Sequence, residues 1–592
     1  MKKKNREMND SIQTFIDKSL NRLLLPTMLS CVSIVVVSLT DAALVSYYIG
    51  AWGLAVVSLF IPLLTIWGCI YEGLGVGTSS LLAHHIGEGR QQTGAEIVEK
   101  ANSMTLLLAL VIAALGISFT YWFSAGRLGV SETFFEDALW YARMMMVTTI
   151  PLVFNNYLLF LLRTDSASGF AAFSTGIQVV LNLSLDIYFM GYLHTGVKGA
   201  AMALFIASSA ALLSTIVYLQ MAHSIVRLRF RWPEWSVVRK LGPYTLNALS
   251  DNMSDFVLSL FINIFVLVVF GIKIASIVYI MLYVKMFVIY YGMGLTYSVT
   301  PIVGVFYGEK NHQALNYIAR RGMVYAALSG CVLALLVFTF AHEIAVYVFS
   351  FEYPDYDGIC ERALRVFSVS LPFYLINMMM ICYCQQTERF RLSFGLCVAN
   401  SLMMLLVIVC FTLIVKRADG MWWGAIIADL VTLGWWLSYS MWKKHRMHAD
   451  SFLCLPDNPD QLKAEAGFVV NVFQPDGKER EMADFLAAQG LGKQTVDKAL
   501  SCLSEIKNFT SDASCSCDGF LRIRLMVNGA YDVRIKVQMA QGPRQGKAMT
   551  ERDRDSYGKL ESYLQTIATE INYSRVLSFQ TLDLQIKTEK TD

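Results

Sequence analysis

Two acids and one amide are the first residues in this chain whose types and spacing suggest chemistry. Asn182 stands four residues before Asp186, so the amide and the carboxylate share one helix face. Asp41 lies in a separate apolar stretch near the start of the chain. At 1.5 Å per residue, Asp41 and Asp186 lie roughly 27 and 26 Å from the same membrane surface. Both therefore reach one level in the outer half of a lipid-embedded bundle. An acid at that depth is costly and is a functional candidate by default. A carboxylate pair away from water is tolerable only with a proton or a cation bound, so the chemistry on offer is H+ or Na+ exchange. The competing reading makes Asp41 merely interfacial.

A second set of charges follows. Asp251 and Asp255 are one turn apart, Lys285 falls near the middle of the next apolar run at a similar depth, and Asp429 lies near the end of the apolar region. One reading is a structural ion pair between Lys285 and Asp251 or Asp255. The other is a second coupling or substrate site. Pro26 and Pro151 each remove a backbone hydrogen bond and are candidate hinges. Met144–Met146 and Met378–Met380 offer adaptable apolar surface, or simply core. The adjacent pair His84 and His85 has no further ligands nearby, and the twelve cysteines show no zinc or disulfide spacing. No metal site, cofactor or catalytic constellation is expected, and so no enzyme.

The elements that must position these residues are membrane helices. Of 592 residues 55% are hydrophobic and only 16% charged, and the mean hydropathy is +0.47, so most of the chain belongs in lipid. The net charge of +3 gives no reason to expect nucleic acid. Runs long enough to cross the bilayer fall at 22–49, 54–80, 101–123, 139–162, 169–190, 197–221, 244–270, 272–299, 318–341, 364–383, 391–414 and 421–441. Helices are the only reasonable form for them. The first reads as an uncleaved span, not a signal peptide. Lys18, Arg22, Arg227, Arg229, Arg231, Arg239, Lys240, Arg320, Arg321, Lys443, Lys444 and Arg446 fall on one side, and acidic loops fall on the other. The positive-inside rule then puts both termini in the cytosol.

The chain repeats itself. Gly50 and Gly271, Gly73 and Gly294, Gly87-Glu88 and Gly308-Glu309, and Pro151 and Pro372 are all 221 residues apart. Two six-helix halves of the same orientation follow, related by an axis along the membrane normal. The expected architecture is an all-α polytopic membrane protein of about twelve helices in two pseudo-symmetric six-helix bundles, with a C-terminal cytosolic α+β domain. Its expected parts are a cytosolic segment at 1–21, bundles at 22–221 and 244–446, a central loop at 222–243, a linker at 447–467 and the α+β domain at 468–592. In that domain 468–473, 521–527, 531–537 and 582–586 alternate as strands, and 482–489, 494–506 and 557–571 read as helices.

Certain stretches carry a resemblance. Asp41 is followed by Gly50, Leu54-Ala55-Val56-Val57 and Pro62, and Gly73-Leu74-Gly75-Val76-Gly77-Thr78-Ser79 runs on to Gly87-Glu88-Gly89. Asn182-Leu183-Ser184-Leu185-Asp186 and Gly196-Val197-Lys198-Gly199-Ala200-Ala201 complete the set. Over about residues 20–445 the chain resembles the multidrug and toxic compound extrusion (MATE) transporters. The resemblance implies a V-shaped pair of bundles working by alternating access, driven by H+ or Na+. It implies that Asp41, Asn182 and Asp186 form a cation site, with Tyr141 and Asn155 or Asn156 lining the same pocket. Many members have Thr where this chain has Met202-Ala203-Leu204, which leaves the choice of ion open. The C-terminal domain resembles a degenerate histidine-kinase-like ATPase. Glu505 and Asn508 stand where that family keeps a Glu and an Asn, but Gln541-Gly542-Pro543-Arg544 replaces its nucleotide loop.

The favoured function is thus an efflux antiporter in the bacterial inner membrane. Its partners would be a small organic substrate, which could be a cation, membrane lipids, and a cytosolic protein bound to 468–592. A flippase for a lipid-linked precursor or a membrane sensor signalling through the C-terminal domain are the alternatives.

Overall fold

The computed structural model describes residues 2–50, 53, 56–57, 61–125, 132–221, 226–348, 357–415, 419–447, 462–471, 478–489, 491–512, 520–528, 533–540, 560, 562–576 and 579–586. The membrane part is helical, because a chain in lipid must satisfy every backbone N–H and C=O within itself. The first half holds α1 (Lys2–Tyr48), α2 (Ile61–Gly87), α3 (Gln91–Ala125), α4 (Glu132–Thr164), α5 (Ser168–Asp186) and α6 (Val197–Met221). The second holds α7 (Trp235–Phe270), α8 (Ile272–Gly308), α9 (His312–Thr339), α10 (Asp357–Ser368), α11 (Leu371–Gln386), α12 (Phe390–Val415) and α13 (Asp419–Met447). Among the described residues eight helices are each long and apolar enough to cross a membrane. The count is nine if the pair Gly358–Ser368 and Leu371–Gln386, bent by 42°, is one span. That bend sits at Pro372, whose missing N–H interrupts the ladder.

The repeat is visible in the backbone. Gly50 (φ 87°) and Gly271 (φ 78°) both turn through the left-handed region, as do Gly89 (φ 81°) and Lys310 (φ 53°). The two halves meet along α1 against α8 and along α2 against α7. A Cβ on Gly294 would lie 2.7 Å from Met28 Cα, and one on Gly73 would lie 2.8 Å from Thr245 Cα, so two glycines of the repeat let these backbones close. At the C-terminal ends of α2 and α8 Gly87 packs against the Val305 carbonyl and Gly308 against the His84 carbonyl. On the same side Arg321 and Tyr317 of α9 both donate to Asp17 Oδ2 at 2.9 Å, tying the start of α1 to the second half.

Beyond α13 the chain forms a five-stranded antiparallel sheet of order β1-β2-β3-β5-β4. Its strands are β1 (Leu462–Asn471), β2 (Phe520–Asn528), β3 (Val533–Ala540), β4 (Glu570–Val576) and β5 (Phe579–Ile586). Alternation decides its faces. Ile523, Leu525, Ile535, Val537, Leu582 and Leu584 are buried with Leu486 of α14 (Lys478–Ala488) and Ile506 of α15 (Lys493–Asp512). Arg524, Arg534, Lys536 and Gln538 lie on the opposite face. Two expectations need correction. The stretch 557–571 is not one helix: residues 562–567 are helical and β4 begins at Glu570, where pairing with β5 overrides local helical propensity. The sheet also starts at Leu462, inside the stretch expected as a linker, because β1 needs that length to pair along β2.

Candidate functional site

The structure brings Asp41, Asn182 and Asp186 together. The Asn182 amide nitrogen donates one hydrogen to Asp41 Oδ1 at 2.9 Å and the other to Asp186 Oδ2 at 2.7 Å. Asn182 and Asp186 are each only 1% exposed, and Asp41 is half-buried. Helix periodicity places Asn182 and Asp186 on one side of α5, and the close packing of α1 against α5 supplies Asp41. Directly after Asp186 the helix widens into a π-turn, Ile187–Tyr192, a distortion often found at functional positions. Asn182 Oδ1 and Asp186 Oδ1 are buried and have no hydrogen-bond partner. Two acceptor oxygens thus remain for a cation. Tyr141 of α4 is buried, near enough to both acids to feel their charge.

Asn155, one of the two asparagines expected beside Tyr141, has other partners. Asn155 is buried on α4, where its Oδ1 accepts from Thr215 at 2.9 Å, and Thr215 in turn meets Ser174 at 3.0 Å. Ser174 lies two turns of α5 away from Asn182, so Asn155 belongs to a separate polar knot that joins α4, α5 and α6. Asn156 is half-buried beside it. Pro26 and Pro151 lie inside unbroken helices. The side chain of Asp255 lies outside the described residues.

In the second half Lys285 lines a cavity together with Asp429, Asn400 and Tyr374. Its ammonium is 5.7 Å from the centre of the Tyr374 ring. Asn400 donates to Asp429 Oδ1 at 3.3 Å, and Asn377 donates to the Asp429 carbonyl at 3.1 Å. Asp251 lines a neighbouring, larger open cleft that shares Tyr374 and Asn400. The sequence grouped Lys285 with Asp251 and Asp255 by depth; in the structure Asp429 lines the same cavity as Lys285.

One residue was missed. Glu72 of α2 faces that larger cleft, where Oε1 accepts from Tyr297 at 2.6 Å and Oε2 from Asn252 at 3.1 Å. Its partners stand on α8 and α7, so this acid links the halves. The rule that selected Asp41, an acid inside an apolar span, would have found it. Among the described residues no three His, Cys, Asp or Glu side chains converge as a metal site. His84 instead meets the Gln386 carbonyl at 3.0 Å, and His85 meets Glu88 at 3.1 Å.

Comparison with known proteins gives the family. The MatE family model matches twice, at residues 26–188 and 249–412, one match to each half. The chain is 27% identical over 347 residues to the probable multidrug resistance protein YoeA of Bacillus subtilis, which covers 55% of this chain and 72% of that one. A solved MATE protein in complex with MaL6 superposes with a TM-score of 0.68 at 23% identity, covering 73% of this chain and 96% of that chain. An outward-facing multidrug resistance MATE transporter of the MOP superfamily gives the same figures. A transporter of that superfamily from Pyrococcus furiosus follows at 0.65, covering 71% of this chain and 95% of that one. With an acid pair in the first bundle and a family match to both halves, the chain belongs to the MATE family of membrane transporters.

Proposed function

We propose that this transporter exports a small organic substrate from the cytosol in exchange for H+ or Na+, by alternating access across the bacterial inner membrane. Asp41, Asn182 and Asp186 bind the coupling ion. The observation that carries this is the single Asn182 amide donating to both carboxylates, with acceptor oxygens left over in a buried pocket. One proton between Asp41 and Asp186 relieves their repulsion and leaves the pair with one negative charge. That charge attracts a further cation, and Asn182 Oδ1 and Asp186 Oδ1 are positioned to accept it. Leaving the pair doubly ionised in lipid is unfavourable. The bundle therefore changes state only when loaded with an ion or with a substrate that compensates the charge. Basic residues flanking α1 and α13 support cytosolic termini. The multidrug resistance assignment of YoeA supports an organic substrate, which could be a cation.

The test is Asp41→Asn and Asp186→Asn in sealed vesicles under an imposed pH gradient and, separately, a Na+ gradient. Export should collapse in both variants under the gradient that drives the wild type, and this also names the ion. Undiminished export by both would end the assignment.

A further inference from the structure

The sheet face that carries no helices is pressed onto the cytosolic ends of α2 and α8. Lys536 of β3 donates to Glu309 Oε1 at 2.8 Å and to the Gly87 carbonyl at 3.1 Å. The two charged side chains are 4% and 3% exposed. Around them Arg534 donates to the Glu88 carbonyl at 3.2 Å and Gln538 to Glu309 Oε1 at 3.4 Å. Arg524, the cross-strand partner of Lys536, reaches the Glu309 carbonyl at 3.5 Å and its carboxylate at 3.9 Å.

The points it touches are not arbitrary. Gly87-Glu88 and Gly308-Glu309 are equivalent positions of the two repeats, one in each half, and their backbones already abut. A single ammonium therefore holds matching ends of both bundles. If those ends separate, Lys536 must release one of them, and a buried ion pair that loses a partner is strongly destabilised. We propose that the C-terminal domain is a clasp that holds the transporter closed on its cytosolic side and must let go before that side opens. The idea rests on the alternating-access reading above. It gives the domain a role that needs no nucleotide: anything that binds its basic sheet face in competition with Glu309 would raise the rate of cytosolic opening.

The experiment measures a distance in the full chain. Spin labels go at Gln92→Cys and Gln313→Cys, exposed positions just past the two clasped turns, on a background with reactive native cysteines replaced by serine. Pulsed EPR in nanodiscs is recorded at rest for the parent, Lys536→Glu, Lys536→Arg and Glu309→Gln, and for the parent during substrate turnover. The parent at rest should give one short distance. Lys536→Glu and Glu309→Gln, which break the pair from opposite sides, should each add a longer population, and Lys536→Arg should keep the short one. A longer population during turnover, with none in either broken-pair variant, overturns the clasp alone. A single short distance in every sample, turnover included, overturns alternating access and the clasp with it.

Discussion

Asn182 carries more of the proposed coupling than its neutral side chain suggests. It donates to both Asp41 and Asp186, and a hydrogen bond to a charged acceptor is worth about 1.5–3 kcal/mol. Asn182→Ala keeps both acids but removes both donors. Gradient-driven export, read as an initial rate in vesicles, should then fall by roughly tenfold or more. An unchanged rate would mean that the amide only fills space. Glu72 is subject to the same reasoning across the interface between the halves. Tyr297→Phe preserves the ring and removes the hydroxyl donor 2.6 Å from Glu72. The purified protein should lose about 1–3 kcal/mol of stability, read as a lower Tm. Asp41, Asn182 and Asp186 were legible in the sequence because depth along a helix and four-residue spacing are one-dimensional quantities. The place of Asn155 was not. Which side of α4 faces α5 and which faces α1 depends on helix rotation, which is set by packing with every neighbour.

At the scale of the element, small residues decide how closely the two halves approach. Gly308 at the end of α8 abuts the His84 carbonyl, which is backbone and cannot move aside as a flexible side chain would. Gly308→Ala should therefore push α2 and α8 apart and cost about 1–3 kcal/mol, as overpacking does. Gly176 in α5 meets nothing within 4 Å, so Gly176→Ala should be neutral or should stabilise by up to about 1 kcal/mol through helix propensity. Thermal melts of the two variants side by side check this. Equal melting temperatures would show that the contact between the halves is looser than described. The glycine repeat was readable, since a 221-residue offset needs no structure. Its purpose was not, because a sequence gives no sign that Gly294 faces Met28 while Gly176 faces open space.

In the whole molecule, several contacts join the halves near the C-terminal ends of α2 and α8, and one of them titrates. Glu388, in the turn after α11, is held below its usual pKa of 4.5, mainly by His84 of α2, whose Nδ1 lies 3.6 Å from its carboxylate. A carboxyl lowered in the folded state contributes stability that is fully present above its unfolded pKa and is lost as pH falls through the folded one. Glu388→Gln should lower Tm relative to the parent above about pH 4.5, and the difference should shrink to nothing in more acidic buffer. A difference independent of pH would assign Glu388 a packing role only.

The sequence by itself determined that this chain is helical and lipid-embedded, that it is duplicated, and that acids from two helices reach one depth. Lipid penalises polar groups so heavily that composition, spacing and offset suffice for those conclusions. Tertiary structure alone decided which polar side chains meet: Lys285 shares its cavity with Asp429, Glu72 reaches across to Tyr297 and Asn252, and Lys536 enters the turn at Gly87 and Glu309. These arrangements depend on helix rotation and on the docking of separate units. Both are fixed by the sum of many weak contacts between residues hundreds of positions apart, and no local pattern encodes that sum.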